Sequence, residues 1–182
     1  MRVEGSPAHN LRMLLPKYYE MFAIGYGYRT NSNWGFEFGY QNSKKNTKAA
    51  NFAANQNLLF TPFASAQQVI ATSKVLGVYL CAVGYHQLSA NSEFIGQFGF
   101  VYSRFKIQSN SDSFNASARG GVHFKAAFGL QHKFGEFVAL RMLMRYESTQ
   151  SLKLAYREGL SIYYFKPFYD SLGLSIGLLI RF

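Results

Sequence analysis

The sequence predicts an all-β chain, an antiparallel up-and-down transmembrane β-barrel with eight strands when complete. Three observations predict it. Apolar and small or polar residues alternate in segment after segment, the period-two signature of a strand with one greasy face. No stretch of about 20 consecutive apolar residues occurs, so no helix of this composition crosses a bilayer. Tight turns alternate with long connections rich in Asn, Ser, Ala and Gln, as in barrels that cross a membrane with strands.

The 182 residues read as one domain, 1–182, in which 1–17 form a loop or the remnant of a truncated N-terminal segment. Aromatics make up 18%, yet mean hydropathy is only −0.08, because alternating strands cancel in any average. Cys81 is the sole cysteine, so there is neither a disulfide framework nor a cysteine-based zinc site. A net charge of +10 raises the question of nucleic acid. The basic residues form no long run, only Lys44-Lys45 and nearby Lys48, so no nucleic-acid partner is expected. Crowding of basic residues at strand ends, near acidic lipid head groups, accounts for the charge.

The strands follow in order. Met21–Tyr28 sets Phe22, Ile24, Tyr26 and Tyr28 against Ala23, Gly25 and Gly27. Asn33–Gln41 sets Trp34, Phe36, Phe38 and Tyr40 against Gly35, Glu37, Gly39 and Gln41. Val75–Tyr85 is a strand by composition, with two faces that cannot be told apart. Glu93–Ser103 opposes Phe94, Phe98, Phe100 and Tyr102 to Gln97, Gly99 and Ser103. Gly121–Lys133 opposes Val122, Phe124, Ala126, Phe128 and Leu130 to His123, Lys125, Ala127, Gly129 and Gln131. Glu136–Glu147 opposes Val138, Leu140, Met142, Met144 and Tyr146 to Ala139, Arg141, Arg145 and Glu147. In Ser171–Phe182, Leu172, Leu174, Ile176, Leu178, Ile180 and Phe182 share one parity. Ile95, Val101, Leu143 and Leu179 break the pattern on the small face.

Orientation decides between a soluble and a membrane barrel. The polar face combines long charged side chains with glycines, which suits the lumen of a barrel of about eight strands. The opposite face carries Phe, Trp, Leu and Met with almost no charge, which suits lipid. Trp34, Tyr40, Tyr102, Phe134, Phe137 and Tyr146 lie near strand ends, where aromatic girdles form.

Thr30–Ser32 and Lys133–Gly135 read as tight turns and Gln87–Ser92 as a short one, all at the periplasmic end. The segments 45–72, 108–118 and 149–169 read as outer loops. This count gives seven strands, about 18–29, 33–43, 73–86, 93–107, 119–133, 136–148 and 170–182. The first runs downward, so an upward strand is expected before it. Two repairs present themselves. Either a leader and a first strand lie upstream of Met1, the preferred reading, with 151–165 a hairpin-like extension of the last loop. Or Leu152–Phe165 supplies the eighth strand.

The segments FAIGYGYRTNSNWGFEFGYQ (22–41), FIGQFGFVYSRF (94–105), GGVHFKAAFGLQHKFGEFVALRMLMRYE (120–147) and SLGLSIGLLIRF (171–182) carry a resemblance. Together the chain resembles the small outer-membrane β-barrel family of OmpA transmembrane domains, OmpX/Ail-type proteins and neisserial opacity proteins. The resemblance implies a multi-pass barrel in the cell outer membrane of a Gram-negative envelope, without cofactor. It implies recognition of the terminal Phe182 strand by the barrel-assembly machinery. It also implies a structural or surface-interaction role: adhesion, envelope integrity, a surface antigen or a host-surface ligand. The absent leader and first strand depart from the family pattern.

Within that frame, Glu37, Lys125, Arg141, Arg145 and Glu147 form a candidate lumen charge network. Unpaired charge there costs several kcal/mol, so a salt-bridged plug is preferred over a small porin-like path. Lys44, Lys45, Arg104, Lys106 and Arg119, with Lys48 and Lys74, gather at the outer end, where lipopolysaccharide phosphates accept charge-assisted hydrogen bonds. An enzyme is not expected. A serine hydrolase needs His beside Ser and an acid, yet His9, His86, His123 and His132 are scattered and only Asp112 and Asp170 are present. The His-x-Ser motif of lipid A deacylase barrels is missing, no metal-ligand spacing occurs, and the glycines form no phosphate loop.

Overall fold

The computed structural model describes residues 13–14, 19–56, 62–110, 116–119, 121–148, 153–158, 161–165 and 170–180, with the backbone alone at 116–119, 153–158, 161–165 and 170. In chain order the strands are β1 (Met21–Arg29), β2 (Trp34–Ser43), β3 (Asn46–Phe52), β4 (Gln67–Gln87), β5 (Ser92–Ser109), β6 (Ala116–Arg119), β7 (Gly121–Lys133), β8 (Val138–Ser148), β9 (Lys153–Glu158), β10 (Ser161–Phe165) and β11 (Asp170–Ile180). No described helix is long and apolar enough to cross a membrane.

The wall runs β1-β2-β4-β5-β7-β8-β11, every neighbour antiparallel. Its lower end is closed by turns in which Thr30, Leu88 and Phe134 donate backbone N–H groups to the carbonyls of Trp34, Ser92 and Val138. Gly135 takes φ +109° in the last of these, a left-handed conformation that glycine adopts without steric cost. Among the described residues no pairing joins β1 to β11. The wall is therefore a curled sheet whose two edges face each other across a seam.

Period-two alternation decides the faces. Phe98, Phe100, Phe128, Leu130, Leu174 and Leu178 point outward and are more than half exposed, whereas Lys125 and Arg141 point inward and are 5% and 8% exposed. A soluble protein rarely exposes a continuous apolar patch beyond a few hundred Å²; here the outer face of every wall strand is apolar, so its solvent is hydrocarbon. Trp34, Phe134 and Phe137 stand exposed beside the turns, and Tyr40, Tyr102 and Tyr146 toward the other end, each at the height of a membrane interface.

The faces of β4, ambiguous in sequence, separate cleanly. Gly77, Cys81 and Val83 are buried inside while Val78 and Leu80 are exposed outside. Two of the four residues that break the small-face pattern have a common use. Ile95 and Leu143 join Val83 and Ala127 in a buried cluster, with Tyr85 packed against it, so the lumen holds an apolar layer as well as polar ones.

Two expectations change above the membrane, and a third, the hairpin-like extension at 151–165, is met. Segment 45–72 is not one long loop. β3 continues from β2 and pairs with the first residues of β4, from Asn46↔Ser73 to Phe52↔Gln67, and Phe52 packs on Phe63 at 5.2 Å near its tip. Segment 108–118 likewise contains the end of β5 and β6, the latter pairing with β5 and β9. Residues 153–165 form the β9–β10 hairpin, Ser161 opposite Glu158. Because β9 pairs with β6 and β10, this hairpin rises above the barrel and does not supply the eighth wall strand. β3 and the start of β4 keep one covered face, on which Ala50, Phe52, Val69 and Ala71 are buried, but it carries few large apolar side chains and the alternation is therefore weak in sequence. Of the expected segment 1–17, only Met13 and the fully buried Leu14 are among the described residues.

If Phe98 and Phe128 face hydrocarbon, Phe98→Arg and Phe128→Arg each weaken the folded barrel by about 2–4 kcal/mol when the site is near mid-bilayer. Urea unfolding in lipid vesicles measures this. Wild-type stability in both variants would reverse the assigned faces.

Candidate functional site in the barrel lumen

Two polar groups occupy the lumen, one toward the turns and one toward the outer end. The lower group centres on Glu37 of β2 and Arg141 of β8. These residues are far apart in sequence, and the curl of the sheet brings them into a hydrogen-bonded ion pair across the lumen. The amide of Gln97 donates to Glu37 Oε2 at 2.7 Å. Arg141 donates through Nε (3.0 Å) and Nη2 (2.9 Å) to Gln131 Oε1, a forked contact that fixes the guanidinium plane. Gln131 in turn donates to Glu93 Oε2 at 3.2 Å. Glu93 Oε1 accepts from Lys133 Nζ at 2.7 Å and from Arg29 Nη1 at 3.0 Å, and the Arg29 guanidinium lies over the Tyr85 ring, 4.2 Å from its centroid. One continuous chain of charge-assisted bonds thus ties β1, β2, β5, β7 and β8 together.

The upper group centres on Glu147 of β8. Its Oε2 accepts from Gln41 Nε2 of β2 at 3.1 Å and lies 3.4 Å from His123 Nε2 of β7. Arg145 Nε stands 3.9 Å from Glu147 Oε1, at the margin of an ion pair. Lys125 forms no ion pair among the described residues; its Nζ rests 3.8 Å from the centroid of the Tyr79 ring, a cation–π contact. Tyr79 lies across β1 and β2 where both are glycine. A Cβ on Gly39 would sit 2.6 Å from the Tyr79 hydroxyl oxygen, and one on Gly25 2.5 Å from it. Gln41 Oε1, Ser103 Oγ, His123 Nδ1 and Glu147 Oε1 are buried without a hydrogen-bond partner among the described residues.

The sequence-predicted lumen residues thus divide. Glu37 and Arg141 meet directly, Arg145 and Glu147 meet loosely, and Lys125 stacks on an aromatic ring. Sequence reasoning missed Arg29, Gln41, Tyr79, Glu93, Gln97 and Gln131 as their partners. Strand parity carries the signal that all but Tyr79, on the ambiguous β4, face inward, but partner choice needs the curl of the sheet. His123 has its acid on the adjacent strand, Glu147, rather than on its own.

The basic residues at the outer end are spread out. Lys44 and Lys45 are exposed, and Lys44 reaches exposed Glu20 at 3.4 Å. Arg104 and Lys106 follow one another on the outer face of β5, with Arg104 6.0 Å from the centroid of the Tyr102 ring. Lys106 lies directly opposite Lys74 of β4, a like-charge pair that costs stability unless an anion bridges it. For Arg119 the backbone alone is described, opposite Lys153. Phe182 lies outside the described residues. At the turn end His132 Nδ1 is 2.9 Å from Ser92 Oγ. The pair is exposed, and His132 has no carboxylate partner among the described residues.

An antiparallel wall with a lipid-seeking exterior and an ion-paired interior defines a class, the membrane-spanning β-barrels. The family model described as outer membrane protein beta-barrel domain matches residues 16–181. The chain belongs to that family, and its place is the outer membrane. No curated protein matches it.

Removing one member of a buried pair leaves the other uncompensated. Arg141→Ala is therefore expected to destabilise the barrel by about 3 kcal/mol or more. The double variant Glu37→Leu/Arg141→Leu recovers most of that loss, since neither charge then remains in the lumen. A double-mutant cycle in urea with Glu37→Leu, Arg141→Leu and the double variant reads the coupling; a double loss equal to the sum of the two single losses would mean that the pair carries none.

Proposed function

We propose that this protein is a structural and surface-interacting component of the outer membrane, non-catalytic, with a lumen closed by side chains rather than an open pore. The supporting observation is the Glu37–Arg141 pair held between Gln97 and Gln131. It places a fixed guanidinium–carboxylate bar across the path that an ion would take. The apolar layer of Val83, Ile95, Ala127 and Leu143 adds a zone without ligands for a dehydrated ion. The hairpins β3–β4 and β9–β10 then serve as the surface offered to the outside, for adhesion or envelope integrity. The terminal strand, with Phe182, serves as the signal to the barrel-assembly machinery.

Planar-bilayer recordings test the closed lumen. The wild-type protein is expected to show no steady open level, and Glu37→Ala/Arg141→Ala to show discrete openings. A steady open level in the wild type would instead support a small porin.

A second observation supports contact with lipopolysaccharide. Lys74, Arg104 and Lys106 share the outer face of β4 and β5 beyond Tyr102, at the height of acidic head groups, and a phosphate between Lys74 and Lys106 removes their mutual repulsion. Added lipopolysaccharide is expected to raise the wild-type Tm at low salt. The triple variant Lys74→Gln/Arg104→Gln/Lys106→Gln loses that gain. An unchanged gain would move the contact elsewhere.

A further inference from the structure

The inner face of the wall carries more cations than carboxylates in each half of the lumen. Toward the turns, Arg29, Lys133 and Arg141 face Glu37 and Glu93. Toward the outer end, Lys125 and Arg145 face Glu147, whose carboxylate is already engaged by Gln41 and His123. Among the described residues each half thus holds one cation in excess. The two excesses are disposed differently. Every lower cation has an ion pair, and Arg29 and Lys133 stand at the turn rim, partly exposed, where water and salt screen them. The upper cations lie deeper and are poorly matched.

Lys125 of β7 is directly opposite Glu147 of β8 in the strand register, a placement that favours an ion pair. Its ammonium turns away instead. Nζ rests 3.8 Å from the centroid of the Tyr79 ring and makes no ion pair among the described residues, although Lys125 is buried. Arg145 is opposite Ala127, two residues along each strand from that pair, so Lys125 and Arg145 are diagonal neighbours across the β7–β8 ladder. Such positions lie about 7–8 Å apart, within reach of long side chains. Arg145 is thinly served as well. Its Nε is 3.9 Å from Glu147 Oε1, and its Nη2 is 3.7 Å from Met21 Sδ, a weak acceptor.

Two neighbouring cations repel each other, and a buried ammonium without a counter-charge is strongly disfavoured. The Tyr79 ring offsets part of that cost on one side of Nζ. The other side has room for a ligand: a cavity of about 1650 Å³ occupies the lumen, lined by Lys125, Arg145, Tyr79 and Met21 among others.

We propose that the upper chamber of the lumen binds one small monovalent anion between Lys125 Nζ and the Arg145 guanidinium. The anion accepts charge-assisted hydrogen bonds from both. A single negative charge meets the excess of one cation in this half, whereas a divalent anion would overshoot it. The site stands whether or not the lumen conducts, and whether or not lipopolysaccharide binds at Lys74 and Lys106.

Chlorine NMR line broadening tests this, with chloride as the probe and the refolded chain in detergent micelles. The wild type is expected to show saturable broadening. Lys125→Met, which keeps an apolar stem against Tyr79, and Arg145→Gln each weaken chloride binding about tenfold or more, whereas Lys125→Arg retains it. Heat-modifiable migration on gels reports folding of each variant, and either neutral variant alone suffices. In the wild type itself bromide displaces chloride at comparable concentration, and sulfate displaces it far less well. Four results would overturn the proposal. The first is no saturable broadening in the wild type, which would mean that the chain meets the charge itself. The second is equal broadening in wild type, Lys125→Met and Arg145→Gln, which would mean an adventitious ion only. The third is loss of broadening in Lys74→Gln/Arg104→Gln/Lys106→Gln, which would place the ion on the outer face. The fourth is displacement by sulfate ahead of bromide.

Discussion

Hydrocarbon offers no partner to a backbone amide or carbonyl, and the whole architecture answers to that fact. Each wall strand must find its hydrogen bonds in a neighbouring strand, because water is absent at that depth. The long ladders, such as the one from Ala71↔Ser109 to Gln87↔Glu93 between β4 and β5, satisfy this demand. The same condition fixes the side chains. Once both edges of a strand are engaged, its residues have two faces left, one toward lipid and one toward the lumen. Alternation follows from this, and so does the collection of polar groups on the inner face.

Collecting charge in a narrow interior creates the second problem, which pairing solves. Glu37 on β2 meets Arg141 on β8, and Gln41 on β2 meets Glu147 on β8. These contacts cross the lumen and join opposite sides of the curl, which backbone ladders between neighbours do not reach. Glutamines Gln97 and Gln131 act as uncharged connectors, one donating to a carboxylate and the other accepting from a guanidinium while donating to Glu93. The apolar layer of Val83, Ile95, Ala127 and Leu143 lowers the dielectric around them, which strengthens paired charges and penalises unpaired ones.

What the sequence made legible follows the same physics. Where a strand has lipid on one side, as in Trp34–Gln41 or Ser171–Ile180, the contrast between faces is large and parity alone assigns it. β4 resisted because Leu76, Val78 and Leu80 alternate with Val75, Tyr79, Cys81 and Val83, so both parities are apolar; only the neighbours on β2 and β5 decide. Above the membrane the covered face of β3 and early β4 is built largely from small residues such as Ala50, Ala71 and Ser73, so the contrast is weak and these segments, like β9, read as loop although their backbones are paired. The ion-pair partners were least legible. Parity shows that Glu37, His123 and Arg141 face inward, but which of them meet depends on strand stagger and curl, set jointly by all the strands.

The unequal distribution of partners inside the lumen then has a structural meaning. The lower group is saturated: Glu93 accepts from two cations, and Glu37 from an amide and a guanidinium. The upper group is not, since Gln41, Ser103, His123 and Glu147 each keep a buried polar atom without a partner among the described residues, and Lys125 rests on a ring. Both groups lie in the same barrel and face the same solvent conditions, so burial alone does not separate them. What differs is the number of donors within reach. Glu37 and Glu93 draw donors from β1, β5, β7 and β8, whereas Glu147 draws on Gln41, His123 and a distant Arg145, so the supply of donors rather than depth sets which group is satisfied.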